Sequence, residues 1–534
     1  MAVDDYYKHY EDRGFFFDRS LLTTYCLSLH TKPFVILSGI SGTGKTKIAQ
    51  LFSVPAAQGI PKAAAKPPIP PGEWLSLTVT DGLMHGDGRA NFKFSDLSAL
   101  FSDGEVAEIK PEIERLRALG AEDNIGKPVN FTINTPTGEL QAQAYLQRAS
   151  SPLLRARFKS KRGDESYDSR PYFAKHYKHG DVLRLEKVAD KQLQIVSVND
   201  QATMNAAKSL EQEEVAHVKN TCFISVRSDW TDSTSLFGYY NLVDQRFYLT
   251  PVLSFILKAK ENPQIPFFLI LDEMNLAKVE HYFSDFLSAL ESRYLDGATL
   301  HQEPLHLHSD SGWLNTNDDY FDLIGPTLEL PSNLFVTGTV NVDESTYMFS
   351  SKVLDRANVI ELNEVNIAAY GGNSGTAVAP DYVLESFPTL TAFSLATRSD
   401  FESLNPDAKS FLIQLHDILS AHHLQFGYRV INEISKYVSN ALTYCEKSDD
   451  LLQHALDYQI VQKVLPKLNG PQSKLDVPVR QLLTFLASGS PGPAMELDAI
   501  AALDPTTTKF ARSVSKLKRM SLALSIHGFA NFIE

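Results

Sequence analysis

PheValIleLeuSerGlyIleSerGlyThrGlyLysThr (34–46) is the stretch on which the reading of this chain turns. Four apolar residues, Phe34 to Leu37, run into Gly39-x-x-x-x-Gly44-Lys45-Thr46, and a helix-compatible segment, Lys47 to Phe52, follows. Strand, glycine-rich loop and helix in that order make a phosphate cradle. Gly39, Gly42 and Gly44 let successive backbone N–H groups turn inward, and Ser41 and Thr43 add hydroxyls to the same loop. The helix N-terminus adds partial positive charge, Lys45 a mobile ammonium, and the Thr46 hydroxyl a ligand for Mg²⁺. The segment predicts a bound nucleoside triphosphate.

A phosphate loop needs a second strand to hold the metal and orient water. PhePheLeuIleLeuAspGlu (267–273) fits, with Asp272 at the strand end for the Mg²⁺ shell and Glu273 to polarise the attacking water. ThrGlyThrValAsnValAspGluSerThr (337–346) is a third element. Asn341 is placed to touch both γ-phosphate and water, with Asp343 close behind; as a turn former Asn341 would need no such role. Arg356 in LysValLeuAspArgAla (352–357) follows a predicted helix. It reads either as an arginine reaching into a neighbouring subunit's site or as half of an Asp355/Arg356 surface pair.

With 534 residues, 43% apolar and 21% charged, the chain predicts a globular protein of several domains. A net charge of −14 excludes a uniformly basic nucleic-acid binder but not a local basic patch. Cys26, Cys222 and Cys445 have no metal-type spacing and read as reduced thiols. No run is long enough for a membrane span, and the N-terminus lacks a signal-peptide pattern, so a cytoplasmic enzyme or switch is expected.

The fold class expected is α/β: a P-loop domain with a parallel sheet, an inserted mostly-β domain and a C-terminal helical lid. Residues 1–55 would be the first part of the core and 56–72, rich in Pro and Ala, a stiff tether. Residues 73–198 would form the insert, with strands in 129–134, 139–146, 181–188 and 193–198 and a helix over 109–119. The core would resume over 199–404, and 405–534, opening on AsnPro (405–406), would be helical. Within the insert, residues 141–190 carry eleven Lys/Arg against six Asp/Glu. ArgAlaArgPheLysSerLysArg (155–162) with Tyr167, Tyr172, Phe173 and Tyr177 reads as a nucleic-acid face, or else as a solvated basic loop. No nuclease centre is legible: GluIleLys (108–110) leads into a helical pattern, and His306-x-His308 lacks a third ligand.

Taken together, SerGlyThrGlyLysThr, LeuAspGluMetAsn (271–275), GlyThrValAsnValAspGluSer (338–345), PheSerSerLysValLeuAspArgAla (349–357), PheGlyTyrArgVal (426–430) and LysValLeuProLysLeuAsnGly (463–470) resemble the McrB branch of the AAA+ ATPases, the motor subunits of modification-dependent restriction systems. The resemblance covers about 14–55 and 221–534. It implies a ring, expected to be hexameric, that hydrolyses GTP, with ATP as the alternative, beside a separate McrC-like nuclease subunit. Lys45, Thr46, Asp272, Glu273, Asn341 and Asp343 would form the nucleotide site and Arg356 the finger in trans. Arg429 would sense the nucleotide from the lid. Tyr239 and Tyr240 would face a pore or pack within the subunit. Two departures stand: ValAsnValAspGlu replaces the founding member's MetAsnThrAlaAsp-type motif, and only about 33 residues precede the P-loop strand. A DNA reader would therefore be the insert, in the manner of a pseudobarrel gripping a modified or flipped base. A MoxR-like ATPase remodelling proteins and a nucleotide-switched scaffold with little turnover are the rival readings.

Overall fold

The computed structural model describes residues 3–58, 74–84, 89–94, 125–136, 138–147, 153–158, 168–189, 191–199, 219–297, 299–309, 314–317, 323–342, 347–363, 380–390 and 392–533. The expected helix over 109–119, GluIleLys at 108–110, most of the Pro/Ala stretch, most of 199–220 and Tyr167 lie outside them.

Five apolar segments build a parallel sheet: β1 (Phe34–Gly39), β2 (Thr221–Ser225), β3 (Phe267–Asp272), β4 (Leu334–Asn341) and β5 (Asn358–Glu361). Their order across the sheet is β5-β1-β4-β3-β2, and every neighbour is parallel. Runs such as PheValIleLeu and PhePheLeuIleLeu are apolar at every position because helices cover both faces; β1 is buried throughout and β3 up to Leu271. The acidic strand β3 is not the neighbour of β1. β4 lies between them, so the acids reach the P-loop across the end of that strand.

Helix punctuation follows local chemistry. Asp18 caps Arg19–Thr31 by accepting from the Ser20 N–H, and Thr250 caps Pro251–Glu261 by accepting from the Leu253 N–H. Asn405 likewise accepts from Ala408 N–H ahead of Pro406–Ser420, as the AsnPro pair predicts. The P-loop helix runs over Lys45–Gln58, past the expected start of the tether. The helical pattern of 279–292 is two pieces, Val279–Tyr282 and Ser284–Glu291, broken at Phe283.

Helices dominate beyond 405, the longest being Tyr428–Tyr444, Gln472–Ser488 and Ala511–His527. Their apolar residues, among them Leu412, Leu482 and Leu517, belong to the same continuous core as the sheet. A buried polar seam stitches them to the helix before β1: Ser28 donates to Gln462, Asn440 to Thr31, and both Lys32 and Lys463 bond Glu433.

Residues 74–198 contain a closed seven-stranded barrel with its own core. Its strands run, in spatial order, Trp74–Thr78, Arg89–Phe94, Leu153–Arg157, Gly138–Gln147, Ile125–Thr135, Gln192–Val198 and Val182–Ala189, the last pairing back to the first. All pairings are antiparallel except 132–134 with 192–194. Closure leaves no unpaired edge strand among the described residues. Period-two alternation sends Leu75 and Leu77, Phe131 and Ile133, and Leu183 and Leu185 inward. Phe158 and Phe173 fill the same core. Phe173, one of the aromatics read as a nucleic-acid face, is therefore structural.

Candidate active site

Parallel strands bring their C-terminal ends to one edge, where open α/β sheets bind ligands. There Gly39 lies opposite Asn341, and Asp272 opposite Ser225. Two glycines of the loop are fixed by space. A Cβ on Gly39 would lie 2.3 Å from the Leu362 carbonyl oxygen. At Gly44, φ is +87° and a Cβ would lie 2.8 Å from the Phe17 ring. Phe17, in the segment before the first capped helix, thus forms part of the loop's support.

Lys45 is buried and donates from Nζ to the carbonyls of Gly39 (2.9 Å) and Ile40 (2.6 Å), which keeps its ammonium at the mouth of the loop. Thr43 donates to the Ile40 carbonyl, bracing the turn. Ser41 and Gly42 occupy the exposed crown. Thr46 Oγ1 donates to Asp272 Oδ1 at 2.7 Å, joining the P-loop helix to β3.

The same Asp272 oxygen accepts from Thr339 Oγ1 at 2.7 Å. Thr339 Oγ1 accepts in turn from the Glu273 N–H at 3.1 Å. Glu273 sits in the left-handed region at φ 52°, which a glutamate rarely adopts, and this turns it out of line with the strand. Its Oε1 accepts from Asn341 Nδ2 at 3.4 Å, at the outer limit of a hydrogen bond. Asn275 reaches the Asn341 carbonyl at a similar 3.4 Å. The structure thus brings Lys45, Thr46, Asp272, Glu273 and Asn341 together. Asp343 lies outside the described residues.

Thr339 is a residue that sequence reasoning missed. Its signal was available: it precedes Asn341 by two positions, so both side chains leave β4 on the same face. Gly338 has a separate reason, since a Cβ there would meet Met274 Sδ at 2.4 Å.

Arg356 and Arg429 are not brought to this edge. Arg356 follows the short helix Ser351–Leu354 and Arg429 opens Tyr428–Tyr444; both ion-pair with Glu291, Arg356 through Oε2 and Arg429 through Oε1. Burial and the Arg429 charge lower the Arg356 pKa from its ordinary value. Asp355 pairs with Lys467 at 3.1 Å rather than with Arg356. Lys463 donates to the carbonyls of Asp355 and Ala357, so LysValLeuProLys holds the backbone on both sides of Arg356.

In the barrel, the short helix Arg170–His176 sets the Tyr172 ring 4.4 Å from His176 and leads to Tyr177, 6.1 Å from Tyr172. Lys175 and Lys178 are exposed beside them. Burial, with the Tyr172 hydroxyl adjacent, pushes Tyr177 up to about 12. Tyr239 is exposed and stacks on Tyr248 across a hairpin, while Tyr240 packs against the main core. Among the described residues no group of three or more His, Cys, Asp or Glu could hold a metal ion, and no helix is long and apolar enough to cross a membrane.

A family described as a domain of unknown function (DUF8727) matches residues 385–529, which include Arg429 but neither the P-loop nor the acidic strand. No curated protein matches. Among solved structures, one from Cytophaga hutchinsonii, described provisionally as an ATPase, is similar at 13% identity with a TM-score of 0.23, over 48% of this chain and 72% of that one.

Proposed function

We propose that this chain is a nucleoside triphosphate hydrolase of the AAA+ type. It would act as the DNA-recognising motor or switch of a restriction or defence complex whose nuclease is a separate subunit. The observation that carries the hydrolase reading is the 2.7 Å bond between Thr46 and Asp272, which unites a glycine cradle with a paired-acid strand end. The wider reading rests on the ordered motifs that resemble the McrB branch, and GTP is preferred over ATP on that resemblance.

The donor set fits Mg²⁺: a hydroxyl and a carboxylate, both hard oxygens, meet at the P-loop. Thr46 and Asp272 would hold the ion, which when bound neutralises charge on the β/γ-phosphates. The loop N–H groups and Lys45 bind and orient those phosphates. Glu273, set outward by its left-handed backbone, accepts a proton from the attacking water, and Asn341 fixes the carboxylate while facing the γ-phosphate. Thr339 keeps Asp272 and the Glu273 backbone in register. The exposed Lys175 and Lys178 beside the half-buried Tyr172 ring combine positive charge with an aromatic face, which supports DNA contact through the insert.

The Glu273→Gln variant tests the hydrolase reading. It is expected to retain triphosphate in an assembled ring while turnover falls by at least about 10²-fold. Unimpaired phosphate release from that variant would refute the role of Glu273. Salt-dependent binding of DNA to the full chain, weakened by Lys175→Ala/Lys178→Ala, tests the insert; binding unchanged by salt and by the variant removes it.

A further inference from the structure

The acids and Asn341 lie on one side of β1, towards β4 and β3, and the other side of the P-loop belongs to the end of β5. There the Leu362 N–H donates to the Ser38 carbonyl at 2.7 Å, continuing the β5–β1 pairing to the loop's first glycine. A Cβ on Gly39 would lie not only 2.3 Å from the Leu362 carbonyl oxygen but also 3.1 Å from Asn363 Oδ1. The Asn363 amide oxygen therefore rests against the start of the phosphate cradle.

That oxygen is buried and has no hydrogen-bond partner among the described residues. Buried acceptors are nearly always satisfied, and one left without a donor opposes folding until something supplies it. The neighbouring glycine is already committed, its carbonyl accepting from Lys45 Nζ at 2.9 Å and from the Val342 N–H at 3.2 Å. The strand end that carries Asn363 is also held from the helical region. Glu361 accepts from Lys516 Nζ at 2.6 Å, and Lys516 donates as well to the Phe532 carbonyl. Arg519, one turn further along the same helix, lies 3.9 Å from the second Glu361 oxygen.

A triphosphate has a direction on this edge of the sheet. Its γ end belongs at Asp272, Glu273 and Asn341, so the α-phosphate and the nucleoside lie away from them, towards β5. β4 and β5 flank β1, which sets Asn363 about 10 Å across the sheet from Asn341, two strand spacings. Ionised phosphate oxygens only accept hydrogen bonds, so an amide oxygen cannot serve them. The nucleoside is the part of the ligand that carries donors.

We propose that Asn363 is a nucleoside-recognition residue, its Oδ1 accepting a hydrogen bond from a base N–H or a sugar O–H of the bound triphosphate. This rests on the hydrolase reading above and names what the site would distinguish, a nucleotide from a bare polyphosphate.

Equilibrium titration of the full-length chain with Mg²⁺ tests it, with inorganic tripolyphosphate as the probe that has phosphates and no nucleoside. Asn363→Ala and Asn363→Leu should each weaken the preferred nucleotide, GTP or ATP, by about tenfold, the share of one hydrogen bond, and leave tripolyphosphate binding unchanged. Unchanged nucleotide binding overturns the proposal. So does an equal loss for tripolyphosphate, which would make Asn363 a support of Gly39 alone. Analogues identify the donor: 2′- and 3′-deoxy triphosphates each lack a sugar hydroxyl, and purine riboside triphosphate lacks the base N–H groups. The analogue missing the true donor should bind wild type about tenfold more weakly and lose nothing further in Asn363→Ala. If every analogue matches its parent on wild type, or each loses a further tenfold in the variant, the proposal also falls. Failure of the hydrolase reading would look different, because the wild-type chain would then bind neither nucleotide nor tripolyphosphate.

Discussion

Replacing Glu433 with glutamine should destabilise the protein through the two lysines left behind. Glu433, Lys32 and Lys463 form a buried triad in which the side chains are 8%, 12% and 0% exposed. Burial alone would raise the Glu433 pKa, but Lys32 and Lys463 outweigh it and hold the carboxyl at about 2. Against an ordinary 4.5, at ~1.4 kcal/mol per pKa unit, this is on the order of 3 kcal/mol of stability, within the ~3–5 kcal/mol typical of breaking a buried pair. That contribution is present above pH 4.5 and lost as pH falls through about 2. Lys32 shifts oppositely: desolvation, with Lys463 repelling, pulls it to about 7 despite the attraction of Glu433. Between pH 7 and 10.5 the unfolded chain holds more protons at this site, so stability there rises with pH. Glutamine removes the attraction, lowers the folded pKa of Lys32 further and should extend that rise below pH 7. The assay is chemical denaturation of Glu433→Gln and of Glu433→Gln/Lys463→Met at pH 7 and pH 9.5. A loss of about 3 kcal/mol at pH 7 is expected, smaller at pH 9.5 and smaller again in the double variant. A loss that is the same at both pH values, or that adds to the Lys463→Met effect, would refute the uncompensated-charge argument.

Other expectations follow from the site. Thr339→Val should leave the Glu273 N–H without its acceptor and release one bond to Asp272, costing about 1–3 kcal/mol in stability; kcat should fall with KM little changed, and an unchanged kcat contradicts the bridging role. Gly44→Ala should abolish triphosphate binding, measured by fluorescence titration, because of the left-handed backbone and the Phe17 ring, while circular dichroism stays native. Phe17→Ala, which withdraws that support, should weaken binding less than Gly44→Ala; an equal or larger loss would show that the ring itself contacts the nucleotide. Asp272→Asn should make triphosphate binding nearly insensitive to Mg²⁺ in titrations, and a retained Mg²⁺ dependence would remove Asp272 from the ion's shell.

The glycine-rich loop was legible because its pattern is contiguous and partly local: Gly44 takes a left-handed backbone at φ +87°, which favours glycine whatever surrounds it. The acidic strand was legible for a similar reason, since a buried run ending in AspGlu has one polar end. Asn405 and its helix were equally plain, because a cap bonds within three residues. The sequence put Thr339 on the same face of β4 as Asn341, but its bond to Asp272 formed only because β4 lies beside β3, and sequence order does not give spatial order across a sheet. Phe173 looked like a surface aromatic for want of the barrel strands that enclose it.

The sequence by itself determined that a glycine-rich loop, a pair of acids and a polar strand end exist in this chain, since each is written in contiguous residues with short-range requirements. Only the tertiary structure decided which of them meet. Strand order put Asp272 on Thr46, and strand direction sent Arg356 to the far edge of the sheet. Glu291, separated from Arg429 by well over a hundred residues, could join the two arginines only after the helices packed. Pairings of that kind depend on chain topology, because no local pattern records which distant side chain will neutralise a charge.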